Sequence, residues 1–144
     1  MKLKNIFQSN KITRILYGSD FHGSNTVFRK FIASGLQYKA DVLIVGGDVT
    51  GKAMIPVIHG EKGRYEASWF GHQAVATSPE ELEKVKKDIS SVGFYPIVLE
   101  KEEAEELETQ PGKMAARFEA EMCQRVREWM ILAEEKLTPQ KMLL

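Results

Sequence analysis

Two short aliphatic runs, separated by one helix-length segment, constrain this chain more than any other feature. Arg14-Ile-Leu-Tyr-Gly-Ser19 is the first and Asp41-Val-Leu-Ile-Val-Gly-Gly47 the second. Neither alternates polar with apolar residues, so both read as strands buried on two faces. Between them Val27, Phe28, Phe31, Ile32 and Leu36 recur at helical spacing, and Ser24 or Asn25 can cap the start. Two strands joined by such a helix make one right-handed parallel crossover. The fold class expected is therefore α/β.

The rest of the chain has a different character. Met54-Ile-Pro-Val-Ile-His59 and Arg64-Tyr-Glu-Ala-Ser-Trp-Phe70 flank a glycine-containing turn and read as a β-hairpin, with Pro56 assigning the first strand to a sheet edge. Ser78-Pro-Glu-Glu81 is a capping box that opens a helix with Leu82, Val85, Ile89 and Val92 as its buried stripe, ended by Gly93. Tyr95 to Leu99 reads as a short extended piece. Residues 100–108 have helical composition, with only Ala104 and Leu107 able to pack. After the Pro111-Gly112 break, Lys113 to Leu137 reads as a long amphipathic helix whose face holds Met114, Phe118, Met122, Val126, Met130, Ala133 and Leu137, with Trp129 beside it. The division expected is a βαβ part at 1–52 and a hairpin-plus-helical part at 53–144, packed together as one domain.

Composition removes several classes of function. The 144 residues carry 20 basic and 20 acidic side chains, which argues against a protein that coats nucleic acid. Charge is uneven: residues 1–52 hold eight basic and three acidic side chains, residues 80–108 four and ten. Solvated faces account for that pattern. The single cysteine, Cys123, can form no internal disulfide and no zinc-type pair. No apolar run approaches the roughly 18 residues that span a bilayer. Residues 1–10 are basic without a following apolar stretch, so no secretory signal is read and a cytoplasmic location is expected.

Chemistry gathers just after the two strands. Asp20-Phe21-His22 follows the first and Gly46-Gly47-Asp48 the second. In extended backbone, alternation sends Asp20 and His22 the same way. Neighbouring parallel strands lie about 4.8 Å apart, which brings Asp48 beside that pair. Strand C-terminal ends are where open α/β sheets bind ligands. Two carboxylates and an imidazole suit Mn, Fe or Zn rather than a thiolate-selected metal. Gly46 and Gly47 remove side chains where a ligand or a neighbouring backbone must come close. Singly, an Asp at a strand end is commonly a turn former and a lone His a loop residue. Their occurrence after two successive strands is what makes a metal site the expectation.

Ile15-Leu-Tyr-Gly-Ser-Asp-Phe-His-Gly-Ser24 together with Ala40-Asp-Val-Leu-Ile-Val-Gly-Gly-Asp-Val-Thr-Gly51 resembles the N-terminal half of calcineurin-like metallophosphoesterases, over roughly a quarter of the chain. The resemblance implies the βαβ part of a sheet sandwich flanked by helices, with residues beyond 52 as a hairpin and helical insertion. It assigns Asp20 and His22 to a first divalent metal and Asp48 to a bridge between two metals. It implies phosphomonoester or phosphodiester hydrolysis by metal-activated water. The family's later Gly-Asn-His/Asp motif has no counterpart, since no Gly-Asn dipeptide occurs. Gly71-His72-Gln73-Ala74 has alanine where the family's last motif has its second histidine. Neither His59 nor His72 is expected at the metal. At most one ion is expected, on three ligands, in a chain read as truncated that self-associates or pairs with a missing C-terminal half.

Two other functions compete. Gly18-Ser-Asp-Phe-His-Gly23-Ser24 has the glycine spacing of a phosphate-binding loop but lacks the lysine that must follow the second glycine. The helix at 113–137 could serve a non-catalytic interaction module, although docking onto its own core is the simpler use of its apolar face.

Overall fold

The computed structural model describes residues 12–144. The basic segment read above for targeting lies outside them. The chain is mixed α/β, with β1 (Ile15–Gly18), α1 (Asn25–Tyr38), β2 (Val42–Val45), β3 (Met54–His59), β4 (Tyr65–Trp69), β5 (His72–Ala76), α2 (Pro79–Ser91), β6 (Tyr95–Glu100), α3 (Lys101–Thr109) and α4 (Pro111–Leu137) in chain order. Among the described residues, no helix is long and apolar enough to cross a membrane.

The expected crossover forms. β1 and β2 pair in parallel, Ile15 opposite Val42 and Gly18 opposite Val45. Ser24 caps α1, its hydroxyl accepting the Val27 amide. Leu16, Leu43 and Val45 face a core built with α1 and α4, where Phe28 stacks on Trp129 with ring centroids 4.3 Å apart. Among the described residues nothing covers the opposite face, against the expectation of burial on both sides. Ile15 is 60% exposed, Tyr17 62% and Ile44 42%. The cause is topological. Among the described residues the pair makes a sheet of two strands, and helices cover one side of it. Leu143 alone runs along the far edge of β2, donating its amide to Asp41 O and accepting that of Leu43.

The second sheet has the order β5-β4-β3-β6. The hairpin is present as β3 and β4, and β5 adds a third antiparallel strand that the sequence reading missed. The turn between β4 and β5 is Phe70-Gly71, both at positive φ, a two-residue hairpin connection. β6 then returns in parallel beside β3. Pro56 therefore lies in an inner strand, not at an edge. The ladder from β3 to β4 begins only at Val57, so at Pro56 one side of the strand is locally open and the missing N–H breaks no bond there.

Three helices close this sheet. α2 covers one face through Val85 and Ile89, which meet Val57, Ala67 and Ala76. Ser78 caps this helix, Oγ accepting the Glu81 amide, while the Glu81 carboxylate reaches one residue past the cap and accepts the Thr77 amide and hydroxyl at 2.7 and 2.9 Å. Val92, placed in the buried stripe by periodicity, is exposed because the helix ends at Ser91. α3 and the first turns of α4 cover the other face over β6, where Leu107 and Met114 meet Ile97 and Leu99. The last turns of α4 pack on α1 instead. One helix, about 40 Å long at 1.5 Å per residue, thus spans both layers. Its buried line runs through Arg125, Trp129, Ala133 and Leu137, and Met130 is exposed. Of the expected stripe, Ala133 and Leu137 are buried and Met114, Phe118, Met122 and Val126 half-buried; the difference lies at the exposed Met130 and at Arg125, a charged residue that is buried.

Candidate metal centre

Phe21 fixes the first loop. Its ring is buried and meets Phe28, Phe31 and Trp129 edge-on, with centroids 5.1 to 6.1 Å apart. With Phe21 turned inward, its neighbours Asp20 and His22 are left on the outside. The loop after β2 runs alongside. Asp20 N donates to Gly47 O at 3.0 Å, His22 N to Asp48 O at 2.8 Å and Gly23 N to Val49 O at 2.9 Å. The parallel pairing of β1 and β2 therefore continues past the strands as a ladder of loop bonds, and it sets Asp48 level with His22.

Asp20, His22 and Asp48 come together as expected, by a different route. The backbone is not extended: φ is 60° at Asp20, 47° at His22 and 50° at Asp48. All three occupy the left-handed region, which costs a residue with a side chain about 1–2 kcal/mol. Such strain persists where surrounding structure over-determines it, and it clusters at functional sites. His22 Nε2 lies 3.9 Å from Asp20 Oδ1, and His22 Nδ1 lies 3.8 Å from Asp48 Oδ2. One ligand atom from each residue can be chosen so that all lie within 4.8 Å of one another.

The chemistry of the three groups fits a divalent ion. Nδ1 of His22 is buried and has no hydrogen-bond partner, an orphan polar atom of the kind that a ligand satisfies. Both carboxylates are exposed; Asp20 Oδ2 accepts the Ser19 hydroxyl, which leaves Oδ1 on the side of His22. Ligand distances of about 2.1 Å in tetrahedral geometry put donors about 3.4 Å apart, so the group must contract slightly around an ion. The glycines divide. A Cβ on Gly46 would lie 2.2 Å from the Tyr17 hydroxyl, whereas one on Gly47 would meet no atom within 4 Å. Gly46 thus makes room for a side chain, and Gly47 makes room for no neighbour within the chain.

The other histidines are elsewhere. His59 ends β3, with Nδ1 2.8 Å from Glu100 Oε1 and its ring stacked on Tyr65. His72 is exposed on β5 beside Trp69. Among the described residues no other group of three such side chains converges. The phosphate-loop alternative meets an obstacle: the amides of Asp20, His22 and Gly23 are spent on the neighbouring loop, and Ser24 is spent on α1 and on Ser91 O. A cleft of about 510 Å³ lies apart from the triad, floored by Met54, Ile58, Ile97 and Leu99.

The support beneath the loops escaped the sequence reading. A Cβ on Gly93 would lie 2.2 Å from His22 O, and one on Gly51 would lie 2.2 Å from Gly93 O. The Tyr95 hydroxyl oxygen accepts the Gly51 amide at 2.6 Å, and Arg125 Nη1 donates to Gly23 O at 2.6 Å. These partners stand 44 and 102 residues apart in the chain, so no local motif announces them. Comparison with known protein families, with curated proteins and with solved structures finds no match.

Proposed function

We propose that Asp20, His22 and Asp48 hold one divalent cation, of the Mn, Fe or Zn kind, and that this chain carries the metal-binding half of a phosphoesterase. The observation that carries the reading is the His22 imidazole set between two exposed carboxylates, with its buried, unpartnered Nδ1 3.8 Å from Asp48 Oδ2 and its Nε2 3.9 Å from Asp20 Oδ1. When bound, such an ion polarises a phosphoryl oxygen and lowers the pKa of a coordinated water. The residues do the rest. His22 and Asp48 orient the ion through loops locked by backbone bonds, and Asp20 closes the third position. Gly47 leaves space above the loop that a substrate oxygen can use.

The same inventory limits the activity. His59 and His72 are remote from the triad, so among the described residues no further imidazole serves as the acid for a leaving group. Ile15, Tyr17 and Ile44 form an uncovered apolar face on the sheet that carries the triad, which supports a second copy or a complementary half as partner. The test is Mn binding by the 144-residue chain, read from loss of the free-ion signal in electron paramagnetic resonance. Binding to the parent and its loss in Asp48→Asn are expected, with little turnover of phosphomonoesters or phosphodiesters. Equal binding by parent and Asp48→Asn removes the cation site. Vigorous Mn-dependent hydrolysis by the isolated chain refutes the half-site reading.

A further inference from the structure

Arg125 is the least expected buried residue in the molecule. It sits in the middle of α4, 8% exposed, on the line that otherwise holds Trp129, Ala133 and Leu137. Burial lowers its pKa, a measure of how poorly the surroundings replace water. Its nearest acid gives little return: Nε is 3.9 Å from the carboxylate of the half-exposed Glu128. A methionine would fill the same stem volume without desolvating a charge. What the guanidinium has in exchange is Gly23 O at 2.6 Å and the Tyr95 ring, whose centroid lies 5.0 Å from Cζ. Nη2 reaches Ser90 Oγ at 3.4 Å.

We propose that Arg125 and Tyr95 act as positioning residues for the two loops that carry Asp20, His22 and Asp48, a role that rests on reading those residues as a cation site. Each loop is held from below by one member of a contacting pair. Arg125 takes the carbonyl of Gly23, the residue after His22, at a φ of +72°. Tyr95 takes the amide of Gly51, three residues after Asp48. The loops are tied to each other by the His22 and Gly23 amides. Three left-handed ligand residues would relax toward commoner backbone if either loop were free. The pair removes that freedom at both ends, and it belongs to the four-stranded sheet and α4, not to the sheet that bears the ligands.

Two measurements on the full chain separate the positioning pair from the ion. Without metal, Tyr95→Phe removes only the acceptor for the Gly51 amide, so hydrogen exchange there should rise about tenfold or more. With metal, Arg125→Met and Tyr95→Phe should weaken Mn binding by about ten- to a hundredfold, the usual effect of losing a partner that orients ligands. Arg125→Lys, which keeps a charged donor within reach of Gly23 O, should recover part of the loss. Arg127→Met, exposed on the same helix, should leave both readouts alone. If Arg125→Met does not fold, Tyr95→Phe carries the test. Unchanged Gly51 exchange together with parental Mn affinity in a folded variant overturns the positioning role. A parent that binds no Mn overturns the cation site, and the positioning role with it, whatever the exchange rates show.

Discussion

The two sheets of this protein solve the same packing problem to different degrees. The four-stranded sheet has α2 on one face and α3 with the start of α4 over β6 on the other, and β3 and β6 carry Val57, Ile97 and Leu99 in full burial. The two-stranded sheet has α1 and the end of α4 on one face, while Ile15, Tyr17 and Ile44 face outward on the other. Parallel strands are normally covered on both sides. The candidate metal centre stands on the less complete sheet, yet its loops lean on Gly93, Tyr95 and Arg125 of the more complete one. The loops of such a site can thus be held in place on a sheet with one open face, when their contacts come from the other sheet.

Core truncation tests whether the two layers share one folding transition. Phe28 is fully buried and stacked on Trp129, and Ile89 is fully buried beneath the second sheet. Phe28→Ala should cost about 3–5 kcal/mol and Ile89→Ala about 2–5 kcal/mol. Because α4 enters both layers, each change should lower one shared denaturation midpoint in guanidinium. Separate transitions, each moved by only one substitution, would split the molecule at residue 52 and break the comparison.

Metal addition should act next in size. A ligand that binds only the folded chain at a hundred times its dissociation constant stabilises by about 2.7 kcal/mol. Mn should therefore raise the thermal midpoint of the parent, chelator should reverse the gain, and Asp20→Asn should show little of it. A gain that survives Asp20→Asn would place the ion outside the triad.

The N-terminal cap of α2 offers a smaller, pH-dependent effect on the four-stranded side. Ser78→Ala removes the acceptor for the Glu81 amide and should cost about 1 kcal/mol. Bonds from the Thr77 amide and hydroxyl hold the Glu81 carboxyl below the ordinary range. The fold therefore favours its charged form. That contribution is present above the usual glutamate value of about 4.3 and fades as pH falls through the lowered value. Protection of the first-turn amides of α2, taken relative to their intrinsic exchange rates, should fall in that acid window, and Glu81→Gln should flatten the dependence.

These elements differ in how openly the sequence declares them, and the reason is the range of their interactions. The start of α2 is written in the four adjacent residues Ser78 to Glu81, and only the return bond of Glu81, to Thr77, lies one residue outside them. Asp20, His22 and Asp48 could be read as a group because one crossover links them, although the backbone that unites them is left-handed and not extended. Pro56 misled because a proline reports a missing N–H, and only the register of β3 against β4 tells whether that N–H was needed. β5 was hidden because it is short and built of small or polar residues, with Ala76 alone fully buried. Arg125 was invisible for the same kind of reason as Tyr95. A charged residue on a helix reads as solvated until the carbonyl that receives it, 102 residues earlier, is placed beneath it.

The uncovered face gives the smallest expected change in stability and the sharpest test of incompleteness. Tyr17 and Ile44 pair across β1 and β2 and project to the same side. Replacing an exposed apolar residue with lysine leaves folding within about 0.5 kcal/mol when nothing packs on it. Tyr17→Lys and Ile44→Lys should therefore melt close to the parent. If the face is covered by a second copy in solution, the same substitutions should shift sedimentation from dimer to monomer without touching Mn affinity, since the ligand loops take their restraint from Tyr95 and Arg125. Marked destabilisation in a chain that sediments as a monomer at every concentration would mean that the face is already buried within one molecule. The contrast between a finished and an unfinished sheet would then fail.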